Sequence, residues 1–570
     1  MKNIKKQIVA FLVMGLIAGQ VAPTPAPNAD AAGKVKISRT ATTLYPGDSE
    51  QLILLNTTKK QDKKVTWKSS KKTIVKVTKK GRITAVKSGS AKVTAKLGKK
   101  SYTCKVTVKK VLVATPKPSA ATEGNQMFQS DVTNDMTTAA YWYNKVSDPT
   151  KVLLKRDKLD SVNALTMKAD GALMNDLKNR DINYNSNSSK NGLLSELDDV
   201  RGEGRIGSRT EIYRDGEKLD TAAMDKWFAE MKANVEAAAS SDNDTRKYGV
   251  VTKRADIWMA PTNAYVGWSA TDTDSEFINT SANVNEPILI GLTTKDGKYA
   301  HVLTDNCSGW IETDKIAICD SKEEWLAQAY PTDENSLVVD SSHIVLEESY
   351  TSPKTSKADL YLGTILPLVG KSDIPAQIEE RYPWSSYTVY LPTRAADGKL
   401  EKTLALIPVH HDVSIGYLDL TVKNILETAF KCLGDRYGWG GMLGAMDCSL
   451  YMRNIYRCFG LTLPRNTSAQ IKMPTTRYDL TEMSTAQKEA IYDKLTPGSM
   501  LMFPGSHIMM YLGKIDDKYY VISDLGSLFD VGSETKTSVY SVAINSLDVK
   551  RGNGKTWTES MTWAVVPWEF

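Results

Sequence analysis

Residues Arg436–Ser449 read RYGWGGMLGAMDCS. Fourteen residues hold a tyrosine, a tryptophan, four glycines, an aspartate and a cysteine. The flanking text decides how the cysteine reads. Upstream, TVKNILETAFKCLG places Thr421 as an N-cap before an amphipathic helix over about 422–433, stopped by Gly434. Downstream, SLYMRNIYRCFG is helical, apolar on one face, and ends at Gly460. Cys448 therefore stands at or just before a helix N-terminus. There, unpaired N–H groups and the helix dipole favour a thiolate over a thiol. A nucleophilic thiolate needs a base, and the chain has five histidines. His301 lies in an earlier strand pattern, His343 at a boundary between β segments, and His410 and His411 ahead of the helix. His507 remains. In FPGSHIMMYLG it opens a strand after a Pro-Gly turn, and KYYVISDLG is the next strand beyond a KIDD hairpin. Cysteine on a helix, histidine on a later strand and a polar residue on the strand after that is a papain-like order.

The rest of the chain narrows the setting. MKNIKKQIVAFLVMGLIAGQ is a basic start followed by a short apolar run, and an Ala-x-Ala-like cut follows at Ala31. Residues 1–31 read as a secretory signal peptide, so the mature chain is expected outside the cell or on its wall, with no membrane span after cleavage. The six cysteines are sparse and irregularly spaced, which excludes a disulfide scaffold. Cys307 and Cys319 remain a candidate local bridge. There is no CxxC, and the one adjacent histidine pair is His410–His411, so no metal and no cofactor is expected.

At 570 residues, several domains are expected. Residues 34–110 alternate apolar and polar between Gly-, Asp- and Lys-rich turns and predict a small β-sandwich. They hold 22 Lys/Arg against three acids. That excess is more than solubility needs and suits an anionic cell-wall polymer; export argues against nucleic acid. Residues 111–126 are a Pro/Ala/Ser-rich linker and 127–250 are mainly helical. Residues 251–345 and 346–415 read as two successive SH3-like barrels, and 416–570 as the α+β domain built around Cys448.

Two resemblances follow from these motifs. VTWKSS…IVKVTKKGRITAVKSGSAKVTA resembles bacterial Ig-like domains of group 2, which implies a surface or adhesion module. YGWGG…DCS…LPRNTSAQ…SHIMMYLG resembles the NlpC/P60 cell-wall cysteine peptidases, and the helical region, two SH3-like barrels and α+β domain over about 127–570 look like that family's multidomain subgroup. This resemblance implies that Cys448 is the nucleophile and His507 the base. It also implies that Tyr437, Asp447, Ser449 and Thr467 line a pocket for the free amino end of a peptidoglycan stem peptide, cut at the γ-D-glutamyl–diamino acid bond. Two positions depart from the family. Leu450 replaces a usual glycine, and the family's third catalytic residue falls at Ser523 or Asp524, where no histidine stands. The rival expectation is a catalytically weak wall-binding or adhesion protein with the same fold.

Overall fold

The computed structural model describes residues 34–44, 46–109 and 127–570. The signal peptide expected at 1–31 and the linker at 111–126 lie outside them. Among the described residues, no helix is long and apolar enough to cross a membrane.

Alternation within 34–109 does build a sandwich. One sheet orders strands Ala41–Leu44, Lys100–Val108, Gly89–Leu97 and Thr66–Ser69; the other orders Ser49–Gln51, Arg82–Ala85 and Val75–Val77. Successive side chains on a strand point to opposite faces. Val93, Ala95 and Val106 therefore enter the core while Lys92, Lys96 and Lys105 face solvent.

The helical region divides, where one domain over 127–250 was expected. Ala139–Tyr143 and Leu159–Lys168 send Trp142 and Val162 into the core of the C-terminal domain. Helices Ser186–Gly202 and Thr221–Glu236 instead bury Leu197, Met224 and Phe228 against Trp258, Phe277 and Trp310 of the first barrel. The apolar stripes of these helices are each completed by the nearest apolar sheet, since tertiary packing of an amphipathic face supplies most helical stability.

The first barrel is a seven-stranded antiparallel sheet from Lys247–Val251 to Ile316–Ile318. The second begins earlier than expected. Ser336–Val339 pairs with Ile365–Pro367 and Val413–Ile415, which moves residues 336–345 out of the first barrel. The Cys307–Cys319 bridge is absent: both are free thiols, and Cys319 packs beside Trp325 and Val250.

In the C-terminal domain, helices α1 (Val422–Phe430) and α2 (Cys448–Arg457) accompany a six-stranded antiparallel sheet. Its strands are β1 (Thr476–Asp479), β2 (Met500–Phe503), β3 (His507–Ile515), β4 (Lys518–Phe529), β5 (Lys536–Ser546) and β6 (Trp563–Val566), in the order β1-β6-β2-β3-β4-β5. Helix α2 lies against β3 and β4 with Tyr451 and Ile455 buried among Ile508, Met510 and Ile522. That packing brings the start of α2 to the start of β3.

Candidate active site

The loop between the helices is shaped by glycine. Gly440 and Gly441 have φ of 66° and 93°. A Cβ at Gly441 would stand 2.1 Å from Ser281 Oγ and 2.8 Å from Leu450. The loop thus has no room for a side chain where it meets the first barrel. Leu450, the position that departs from the family's glycine, is buried beneath it rather than projecting into a cleft. Arg254 of the first barrel clamps the loop by donating to the Gly441 and Ala445 carbonyls and to Ser281 Oγ.

Asp447 caps α2. Its carboxylate accepts from the N–H groups of Ser449 (3.1 Å), Leu450 (2.9 Å) and Gly440 (3.1 Å), and from the Ser449 hydroxyl (2.9 Å). Arg465 completes the set, donating at 3.1 and 2.6 Å to the two carboxylate oxygens and at 2.9 Å to Ser449 Oγ. Arg465 also donates to Thr280 of the first barrel. Burial alone would raise the Asp447 carboxyl, but the Arg465 charge and these hydrogen bonds hold it below its ordinary value. Asp447 and Ser449 therefore form a closed structural network. Neither lines the cavity beside Cys448, where sequence reasoning had placed them.

Cys448 is the first residue of α2 and lines a cavity of about 410 Å³ together with Tyr437, Trp439, Asp274, His507 and Trp557. The Ig-like sandwich forms the facing wall, through Arg39, Thr42–Leu44 and Asp48–Glu50. The Ile508 N–H acts to lower the Cys448 thiol's pKa, so the nucleophile candidate sits close to the residue next to His507. His507 Nε2 lies 3.1 Å from Ser523 Oγ, and the ring meets Trp557 edge-on at 5.3 Å. Thr467 lies behind the turn that presents His507, accepting from the Gly505 N–H at 2.8 Å. It does not line the cavity. Of the two third-residue candidates, Ser523 touches the imidazole. Asp524 is wholly buried, and among the described residues neither of its carboxyl oxygens has a hydrogen-bond partner.

The electrostatics differ from the thiolate expected at a helix start. Burial pushes the Cys448 thiol well up, and Asp447 adds to it. Burial, then Arg551, lowers His507 to about 3. A helix terminus contributes roughly 0.3–1 kcal/mol, about 2 kcal/mol at most. Desolvation of a buried group moves a pKa by several units and dominates here. The resting pair is a neutral thiol and a neutral imidazole. Asp524 is raised to about 9 by burial, then by Asp447 and Asp435, so it too is uncharged. Among the described residues, no group of three or more His, Cys, Asp or Glu is placed to hold a metal ion.

Residues 434–564 match the NlpC/P60 family. The chain carries an NlpC/P60 domain. Residues 31–108 match the bacterial Ig-like domain (group 2), and 274–312 match the SH3 domain of SH3b1 type. An NlpC/P60 endopeptidase from Photobacterium damselae subsp. piscicida is 16% identical, covering 75% of this chain and 97% of its own, with a TM-score of 0.58; it shares the fold. An NlpC/P60 family protein from Bacillus cereus is 18% identical over 56% of this chain and 99% of its own, with a TM-score of 0.39. No curated protein matches the chain. Around the site, three contributors were not legible in the sequence. Arg465, in LPRNTS, sits in a quoted motif but gives no sign of its partner. Asp274 and Arg254 come from the first barrel and carry no local signal.

Proposed function

We propose that the chain is a secreted or wall-associated cysteine peptidase that hydrolyses peptidoglycan stem peptides at the γ-D-glutamyl–diamino acid bond. The observation that supports this reading most is a shared one: Cys448 at a helix start and His507 at a strand start line one cavity, with Ser523 Oγ 3.1 Å from the imidazole Nε2.

The neutral resting pair sets the order of steps. If Nε2–H donates to Ser523, Nδ1 is free to accept the Cys448 proton as sulfur attacks the scissile carbonyl. The thiolate then forms only when an acyl group is in place. The imidazolium returns the proton to the leaving amine, and a water activated by His507 hydrolyses the thioester. The Ser449 and Leu450 N–H groups are taken by Asp447. The Cys448 N–H, at the first helical position, has no intrahelical carbonyl to meet and is the donor assigned to the oxyanion.

Asp447 is occupied by Arg465, so the acid assigned to the substrate ammonium is Asp274. It lines the cavity beside Tyr437, and burial, then Asp272, carries it to about 6, leaving it ionised at neutral pH. The Lys-rich sandwich is assigned to anionic wall polymer. Soluble stem peptides carrying a free L-Ala amine, digested with the full chain, should yield fragments ending in D-glutamate. Wall binding without such fragments would instead support the adhesion reading.

A further inference from the structure

Arg551 stands beside the candidate catalytic pair without an acidic partner among the described residues. It is half-buried, lines the same cavity as Cys448 and His507, and follows β5 in the chain. Its guanidinium lies 4.1 Å from the Phe503 ring centroid, and Nη2 donates to Ser506 Oγ at 3.0 Å, one residue before His507. The other cations of the cavity differ. Arg39 is paired with Glu50 at 2.7 Å, Lys550 with Glu534 at 3.7 Å, and Lys536 is exposed at the rim.

A cation partly withdrawn from water without a counter-charge is a cost the fold has no need to bear. Stacking on Phe503 and a single hydrogen bond fix the plane of the group while leaving other N–H donors for a planar acceptor. We propose that Arg551 is a carboxylate-recognition site, reading a free carboxylate of the substrate next to the scissile bond. This deepens the peptidase reading and rests on it. Two carboxylates of a stem peptide have this chemistry: the α-carboxylate of the γ-linked glutamate and that of the diamino acid. Stem peptides amidated at the one Arg551 reads become poor substrates.

The test uses the full chain and Arg551→Gln with three peptides: L-Ala-γ-D-Glu-diamino acid, the same peptide amidated at the glutamate α-carboxyl, and the same peptide amidated at the diamino acid. A charged hydrogen bond of this kind corresponds to about 10- to 100-fold in kcat/KM. The parent should lose that factor, mostly in KM, on one amide, and the position of that amide identifies the source. R551Q should lose it on the acid and show no further loss on that amide. Its retained rate on the amide shows that the variant folds. Equal rates for the parent on all three peptides would overturn the proposal. So would an equal fractional loss of R551Q on acid and amide, since that is the signature of support for His507 through Ser506. Calorimetric binding of the same peptides to Cys448→Ala, with and without R551Q, separates the two layers. Carboxylate-dependent binding without turnover upholds Arg551 and sinks the peptidase reading; carboxylate-independent binding overturns Arg551.

Discussion

Asp524→Asn should make the NlpC/P60 domain more stable at neutral and alkaline pH. Asp524 sits inside β4, fully buried, with both carboxyl oxygens unbonded among the described residues and the acids Asp447 and Asp435 as charged neighbours. Its folded value is raised to about 9 from an ordinary 3.8. The folded chain therefore keeps a proton that the unfolded chain releases. For a raised carboxyl, the stabilising contribution is complete below the unfolded value and is lost as pH rises toward the folded one. Between about pH 4 and pH 9, stability falls with rising pH. At pH 7 the gap is about three units, or about 4 kcal/mol at 1.36 kcal/mol per unit. Asparagine removes the ionisation but is itself buried without partners, so a gain of roughly 2–4 kcal/mol is expected. Scanning calorimetry of parent and variant from pH 4.5 to 8.5 measures this. The variant should unfold at higher temperature at pH 8, with the difference shrinking toward pH 4.5. A pH-independent difference, or a variant less stable at pH 8, would refute the reasoning.

Three further outcomes follow from the geometry. Arg465→Met leaves the Asp447 carboxylate buried and unpaired and should cost about 3–5 kcal/mol in denaturant unfolding; a cost under about 1 kcal/mol would place the pair with exposed ion pairs. Ser523→Ala removes one neutral hydrogen bond to His507 and should lower kcat about 3- to 10-fold with KM unchanged, read by steady-state kinetics. A protease site inserted within 111–126, cut to release the Ig-like sandwich, should raise kcat/KM on large murein fragments relative to short peptides; an unchanged ratio contradicts a wall formed by Arg39 and Asp48–Glu50.

Much of this was legible because it is local. Thr421 caps α1, accepting from the Asn424 N–H, and Cys448 opens α2, as the order of capping and apolar residues implied. His507 opens β3 because a Pro-Gly turn precedes an apolar run. Strand alternation put Ser523 and Asp524 on opposite faces but held no information about which face carried the imidazole. The closed network at Asp447 was hidden for another reason: its partner Arg465 is anchored to Thr280, 185 residues away. The expected thiolate failed because a helix-start argument counts the dipole and not the burial of the sulfur, to which the C-terminal domain, the sandwich and Asp274 of the barrel all contribute. The split of residues 127–250 was equally non-local, since a helical stripe does not name the sheet it will cover.

The most direct measurement is cleavage of L-Ala-γ-D-Glu-diamino acid by the full chain and by Cys448→Ala, with products identified by mass spectrometry. The account predicts L-Ala-D-Glu and the free diamino acid from the parent, with the rate reduced on the order of 10⁴-fold or more in the variant. Equal rates for the two proteins, or cleavage at another bond, would contradict it.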